Sequence, residues 1–168
     1  LLMGYLNPVL QYGLEKFCRA AAWLGIAGVI IPDLPLQEYI DEYKTIFEKY
    51  DLKNIFMVTP QTPEARIRFI DEHSNSFIYV VASSGTTGGT TSDPEKVAQE
   101  IYFKRMQSMK LKNPLLIGFG ISDQPSFANA CNYASGAIIG SAFIKELDHS
   151  VDLKKSISSF VNRIKNKS

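Results

Sequence analysis

Short, almost uninterrupted apolar runs alternate along this chain with longer stretches of mixed polarity. The apolar runs cover residues 1–5, 28–31, 54–58, 77–82, 115–118 and 137–140. Continuous hydrophobicity over four to six residues is the pattern of parallel strands buried on both faces. The stretches between them place apolar residues three and four apart, the period of a helix with one buried face. Residues 12–24 do so with Leu14, Phe17, Ala21 and Leu24, and residues 37–50 with Ile40, Tyr43, Ile46 and Phe47. Trp23 falls on the apolar side of the first of these helices and is expected in the core.

Helix starts are marked as well. Thr62 before Pro63 and Asp93 before Pro94 read as N-cap and first-turn pairs, each with acidic residues just behind. Ser122 is a further N-cap candidate, and the last helix is expected over residues 151–164. A strand followed by a helix, six times over, predicts an α/β fold with right-handed crossovers. No linker or low-complexity segment interrupts the 168 residues, so a single domain is expected. The chain begins Leu1-Leu2-Met3, already within an apolar run. That start is expected to be the middle of a strand of a longer parent.

Composition narrows the function classes. A formal net charge of +1 gives no electrostatic case for nucleic acid or an anionic membrane. Lys154, Lys155, Arg163, Lys165 and Lys167 cluster near the end, where a solvated helix face is the expectation. Cys18 and Cys131 stand far apart in no metal-binding spacing, which suits a reducing cytoplasm and provides no disulfide framework. No apolar run approaches the roughly 18 residues of a membrane span. His73 and His149 are expected at the surface, and no metal site is expected.

An open doubly wound sheet and part of a barrel share this alternation, and both place their sites on loops after strands. Three such loops favour the barrel. The first is Ser83-Ser84-Gly85-Thr86-Thr87-Gly88-Gly89-Thr90-Thr91, whose glycines permit close backbone approach and whose hydroxyls and amides can donate to an anion. Taken alone it reads first as a flexible surface loop and second as a phosphate contact. The second is Gly118-Phe119-Gly120-Ile121-Ser122, either a tight turn or an anion-binding turn at a helix start. The third is Gly140-Ser141-Ala142, where a short helix starting at Ser141 would present its first amides outward. The last two together match a recurring barrel phosphate site, built from the loops after the final two strands and a short helix. Such a site needs no basic residue, because amides and a helix dipole worth about 0.3–2 kcal/mol supply the field. Asp33 ends an earlier strand between Pro32 and Pro35. It could be a general base, or a loop-shaping or interface residue.

In order along the chain, Leu2-Met3-Gly4-Tyr5-Leu6-Asn7-Pro8, Gly28-Val29-Ile30-Ile31-Pro32-Asp33-Leu34-Pro35, Thr87-Gly88, Gly118-Phe119-Gly120-Ile121-Ser122 and Gly140-Ser141-Ala142 resemble the tryptophan synthase α subunit. The prolyl-aspartyl-prolyl strand end is the most specific of these. The resemblance implies a partial (β/α)₈ TIM barrel holding the third to eighth strands, six parallel strands with their helices. It implies retro-aldol cleavage of indole-3-glycerol phosphate to indole and glyceraldehyde 3-phosphate, a lyase step of tryptophan biosynthesis in the cytoplasm. No cofactor is implied for this subunit. Pyridoxal phosphate belongs to the partner β subunit, which receives the indole in an α₂β₂ heterotetramer.

By motif position, the resemblance assigns the phosphate to Gly88, Gly120, Gly140 and Ser141, with Thr87 and Phe119 beside it. Tyr5 and Tyr79 would line the indole-glycerol cavity, Tyr79 as a possible auxiliary to the chemistry, with Ile30 and Met57 on its apolar wall. Asn7, Asp33 and Pro35 would meet the β subunit. Thr86 and Gly89 depart from the valine and alanine usual in the family, which suggests a more mobile loop. The family's acid–base glutamate lies on its second strand, and its aspartate lies in a Phe-Ser-Asp-Pro loop. Neither motif occurs in these 168 residues, so they are expected to be inactive alone. Two alternatives stand beside the lyase reading. One is a non-catalytic phosphate-binding and partner-docking module. The other is a different phosphate-binding barrel enzyme, which the absence of strand-end lysines disfavours for the indole-glycerol-phosphate synthases.

Overall fold

The computed structural model describes residues 1–82, 94–148 and 151–165. In chain order it has β1 (Leu2–Met3), α1 (Leu6–Tyr12), α2 (Leu14–Trp23), β2 (Gly28–Ile30), α3 (Leu36–Glu38), a π-helical turn (Tyr39–Tyr43), α4 (Lys44–Lys49), β3 (Lys53–Ile55) and β4 (Met57–Val58). There follow α5 (Glu64–His73), β5 (Ile78–Val81), α6 (Pro94–Ser108), β6 (Leu115–Gly118), α7 (Gln124–Cys131), β7 (Gly136–Ile138), α8 (Ser141–Asp148) and α9 (Leu153–Lys165). The strand orders are β1-β2-β3 and β4-β5-β6-β7. The expected alternation is present, with one difference. The run at residues 54–58 is two strands, β3 and β4, one in each sheet, with Phe56 between them. The chain divides into two compact units, residues 1–58 with 62–79 and residues 59–61 with 80–168.

In the first unit β1, β2 and β3 run parallel, with Met3, Ile30 and Ile55 in one row and Leu2, Val29 and Asn54 in the next. Gly28 is required by packing. A Cβ there would lie 2.8 Å from the Lys53 carbonyl and 2.7 Å from Ile55. The core gathers Val29, Phe47, Leu52, Ile55, Val58, Ile67 and Ile78, all at 2% exposure or less.

Tyr39 stands edge-on to both Phe47 and Phe56, at 5.4 and 5.2 Å between ring centres. Tyr39 and Phe47 are eight residues apart and would sit about 80° out of phase on an uninterrupted α-helix. The π turn absorbs roughly one residue and returns them to one face. The buried positions here are therefore Leu36, Tyr39 and Phe47, while Ile40, Tyr43 and Ile46 are only half-buried.

Other expectations need correction. The helix placed at residues 12–24 is preceded by a further one, α1, and Gly13 at φ +95° separates α1 from α2. The buried face of α2 is Cys18 and Ala21 rather than Leu14, Phe17 and Leu24. Trp23 is not core: it is 85% exposed at the last residue of α2. Burial pushes the Cys18 thiol up to about 11, so it stays protonated and packs as a small apolar group.

The cap of α5 is Pro63, not Thr62. Pro63 holds extended backbone (φ −62°, ψ 148°) and lends no side chain to the cap. Helix α6 starts at Pro94 as expected, while Asp93 lies outside the described residues, as does His149. His73 ends α5 half-buried, its ring edge-on to Phe69.

In the second unit β6 and β7 run parallel, with Gly118 opposite Ile138. The buried side chains include Tyr102, Phe103, Met106, Ile117, Ala130, Phe160 and Ile164. Phe160, on α9, meets Phe143, on α8, at 5.4 Å between ring centres. Asp152 caps α9 by accepting the Lys155 amide, so that helix starts at Leu153 rather than Val151. No helix among the described residues is long and apolar enough to cross a membrane.

Candidate functional site

The second unit holds two of the three anticipated anion loops. Because Gly118 pairs with Ile138, Phe119-Gly120 and Ile139-Gly140 leave the sheet side by side at the carboxyl ends of β6 and β7. Ala82 donates its amide to the Gly118 carbonyl at 2.9 Å, which brings the end of β5 to the same place. The loop after Ala82 carries Thr87 and Gly88, and both lie outside the described residues.

Phe119 and Gly120 both take left-handed backbone, at φ +68° and +73°. Glycine does so freely, but a bulky aromatic residue does not. A non-glycine residue held there costs of order 1–3 kcal/mol, and such strain clusters where a ligand is held. The Phe119 ring is 48% exposed.

The helix beyond this turn is closed to an anion. Its N-cap is Asp123, one residue later than Ser122. The Asp123 carboxylate accepts the Ser126 amide at 2.9 Å and the Ser126 hydroxyl at 2.6 Å. The Ser126 oxygen in turn accepts the amides of Ser122 and Asp123. The Ser126 side chain, and then its amide, hold the Asp123 carboxyl below the usual range. A negative charge therefore already occupies the positive end of α7. The spacing Asp123-x-x-Ser126 with Pro125 inside it was the available sign of this box.

Helix α8 differs. It starts at Ser141 as anticipated, and its first turn contains no acidic residue. The Gly140 carbonyl accepts the Ile144 amide at 3.1 Å, so the amides before Ile144 have no partner within the helix. A Cβ on Gly140 would meet nothing within 4 Å, so packing does not require glycine there. The exposed elements at this end of the unit are thus the Phe119-Gly120 turn and the start of α8 at Gly140-Ser141.

The first unit holds the other candidates. Tyr5 is 68% exposed, Ile30 is buried, Met57 is half-buried and Tyr79 is buried. Burial raises the Tyr79 phenol above its ordinary value, so at neutral pH it keeps its proton. Asn7, Asp33 and Pro35 are exposed. The Asp33 carboxylate takes the Leu6 amide with both oxygens, at 3.0 and 3.2 Å. Nothing in the sequence announced that contact, since the partners are 27 residues apart. Among the described residues no three His, Cys, Asp or Glu side chains gather to hold a metal ion.

A family model described as tryptophan synthase alpha chain matches residues 1–167. The chain belongs to the tryptophan synthase alpha chain family. The tryptophan synthase alpha chain of Flavobacterium johnsoniae is 54% identical over 165 residues, which covers 98% of this chain and 64% of that one. That of Bacteroides thetaiotaomicron is 48% identical over 97% of this chain and 63% of its own length. Among solved structures, tryptophan synthase subunit alpha from Campylobacter jejuni superposes with a TM-score of 0.79 at 30% identity, over 98% of this chain and 64% of that one. A structure of tryptophan synthase from Mycobacterium tuberculosis in its aminoacrylate-bound form gives 0.76 at 26% identity, over 96% of this chain and 58% of that chain. The fold is the family's α/β barrel in part, and this chain spans about 64% of the length of the relatives it matches.

Proposed function

We propose that these 168 residues are the phosphate-binding part of an indole-3-glycerol-phosphate lyase subunit of tryptophan biosynthesis. The observation that carries this reading is the pair of adjacent strand ends after β6 and β7. There a strained left-handed turn lies beside the start of a helix whose first turn has no acidic residue. Amides of Gly120 and Ser141, with Gly88 and Thr87 from the preceding loop, would take the phosphate oxygens. Phe119 would stand beside the ester. Tyr5, Ile30, Met57 and Tyr79 are proposed to contact the indole-glycerol portion, with the Tyr79 phenol in its protonated form.

Retro-aldol cleavage needs a proton delivered to the indole carbon and another removed from a glycerol hydroxyl. Asp33 is not given this role, because its carboxylate is engaged by the Leu6 amide. The acid–base steps are therefore assigned to carboxylates outside these residues. Neither a cofactor nor a metal is assigned to this chain. The partner is proposed to be a pyridoxal-phosphate β subunit, met through Asn7, Asp33 and Pro35 in an α₂β₂ assembly in the cytoplasm. The engagement of Asp33 also suits a second reading, a module that binds phosphate and docks without catalysis.

The test is a titration with glyceraldehyde 3-phosphate or inorganic phosphate against Gly140→Val and Gly120→Ala. Gly140→Val should lose phosphate-ester affinity by about tenfold or more, because a side chain blocks amide approach. Its thermal unfolding should stay near that of the unmutated chain, since the added atoms enter open space. Gly120→Ala should lower stability by about 1 kcal/mol or more, because alanine must take φ +73°. Unchanged affinity in Gly140→Val would remove the phosphate assignment.

A further inference from the structure

Helix α1 begins with a shortage of caps. Its N-cap, Tyr5, provides no side-chain hydrogen bond, and Pro8 in the first turn has no amide at all. The first free donor is the Leu6 amide. It is met from another loop, by both carboxylate oxygens of Asp33. The Leu34 amide donates to the Ile31 carbonyl at 3.1 Å, which closes a four-residue turn with Pro32 second and Asp33 third. Proline in the second position fixes that turn's φ in advance, and Pro35 follows directly. The carboxylate thus stands on a stiff backbone and reaches a helix start whose positive end favours it. Two residues earlier, the Gly4 amide donates to the Ile30 carbonyl at 3.1 Å, which continues the β1–β2 pairing up to this point.

We infer that Asp33 is a positioning residue: its carboxylate caps α1 from the neighbouring loop and sets the Tyr5-Leu6-Asn7 segment, whose Tyr5 and Asn7 are exposed, through which it acts on the docking face. This rests on the docking reading of Asn7 given above. It changes the role of Asp33 within that reading, from a residue that touches the β subunit to one that presents Asn7 to it. The other groups nearby do not compete for the task, because the Leu6 amide already receives both oxygens of the same carboxylate.

The experiment uses the full 168-residue chain and a tryptophan synthase β subunit from a close relative as the binding probe. Binding is measured for Asp33→Ala, Asn7→Ala and the double variant, alongside amide spectra of ¹⁵N-labelled protein. Asp33→Ala should move the Leu6 and Asn7 amide resonances and weaken β-subunit binding about fivefold, the scale of a lost helix cap. In the Asn7→Ala background the same change should cost less than about twofold, because the residue it positions is gone. Asp33→Asn keeps one acceptor oxygen and should restore most of the binding and part of the amide shift. It carries the same test where Asp33→Ala fails to fold.

Additive losses in the double variant would overturn the inference, since Asp33 would then touch the partner itself. An unmoved Leu6 amide in Asp33→Ala would overturn it too. A moved amide with unchanged binding in all three variants would instead remove the docking reading and leave the cap standing.

Discussion

The strand ends of the two units are built in opposite ways. After β1 and β2 the loops are fastened by a side chain: Asp33, on a proline-framed turn, accepts the Leu6 amide and uses up the donor. After β6 and β7 they are shaped by backbone: Phe119 and Gly120 at positive φ, and a helix that starts at Ser141 behind a glycine with open space around it. A fastened loop has a defined outer surface and few free donors, which suits docking. A turn shaped by backbone, before a helix whose first turn has no acidic residue, suits an anion. The difference shows that similar glycine- and proline-rich strand ends can be told apart by where their amides go.

The largest expected effect tests whether either kind of strand end can do chemistry. Indole release by these 168 residues should be at background. Each missing acid–base carboxylate would ordinarily contribute about 10²–10⁴-fold. Exposed apolar residues add to this: Leu1 and, on β1, Leu2 and Met3 are 60, 43 and 57% exposed, and such a surface invites self-association. The measurement is indole release with and without a separately supplied segment carrying the family's first two strands. A rate from the chain alone approaching that of the mixture would mean that a residue present here performs the proton transfer. Asp33 and Tyr79 would be the first to test.

A smaller effect probes why the helix after β6 cannot serve as an anion site. Asp123→Ala should cost about 1 kcal/mol, the usual worth of an N-cap. The sign of its pH dependence follows from the lowered carboxyl. A folded-state pKa below the unfolded value gives a contribution that is complete above the unfolded value of about 3.9. It is lost as pH falls through the folded one. Urea midpoints taken from neutral to acid pH should therefore converge for the variant and the unmutated chain below about pH 4. If the two stayed equally far apart at low pH, the cap would owe nothing to its charge.

How much of this was readable beforehand follows from what each feature depends on. The strands were legible because burial on both faces leaves an unbroken apolar run, as at Leu115–Gly118. The break between β3 and β4 was not, because Phe56 is as apolar as its neighbours. The phase of the helix after β2 was misread because a π turn shifts the face without leaving a mark in the spacing. Helix α1 was missed because Pro8 looks like a break, although proline is tolerated in a first turn. At the site, Gly120 was legible as a glycine that a turn requires. The strain at Phe119 was not, since no residue type announces an aromatic at positive φ. The Asp33–Leu6 contact depends on the pairing of β1 with β2, which brings distant loops together only once the sheet exists.

The smallest expected effect concerns Trp23, the one tryptophan of the chain. Helical spacing put it in the core, but it ends α2 with 85% of its surface exposed, beside Leu24 at 65%. An exposed surface residue with no special contact changes stability by no more than about 0.5 kcal/mol when replaced. Trp23→Ala should therefore leave the urea midpoint almost unmoved, although it deletes the largest side chain in the protein. The same exposure makes the fluorescence a poor witness of unfolding. Native emission should already lie near the unfolded position, and iodide should quench it almost as well before urea as after. This also sharpens the comparison between the two units. The first unit, held by its side-chain tie, carries the exposed β1 and Trp23, whereas the loops proposed to face phosphate lie in the second. A blue-shifted, iodide-protected native emission that becomes exposed on dilution would mean that a second copy covers this surface. Self-association would then proceed through the first unit. The same protection at every dilution would mean that Trp23 is buried within one chain, contrary to the structure.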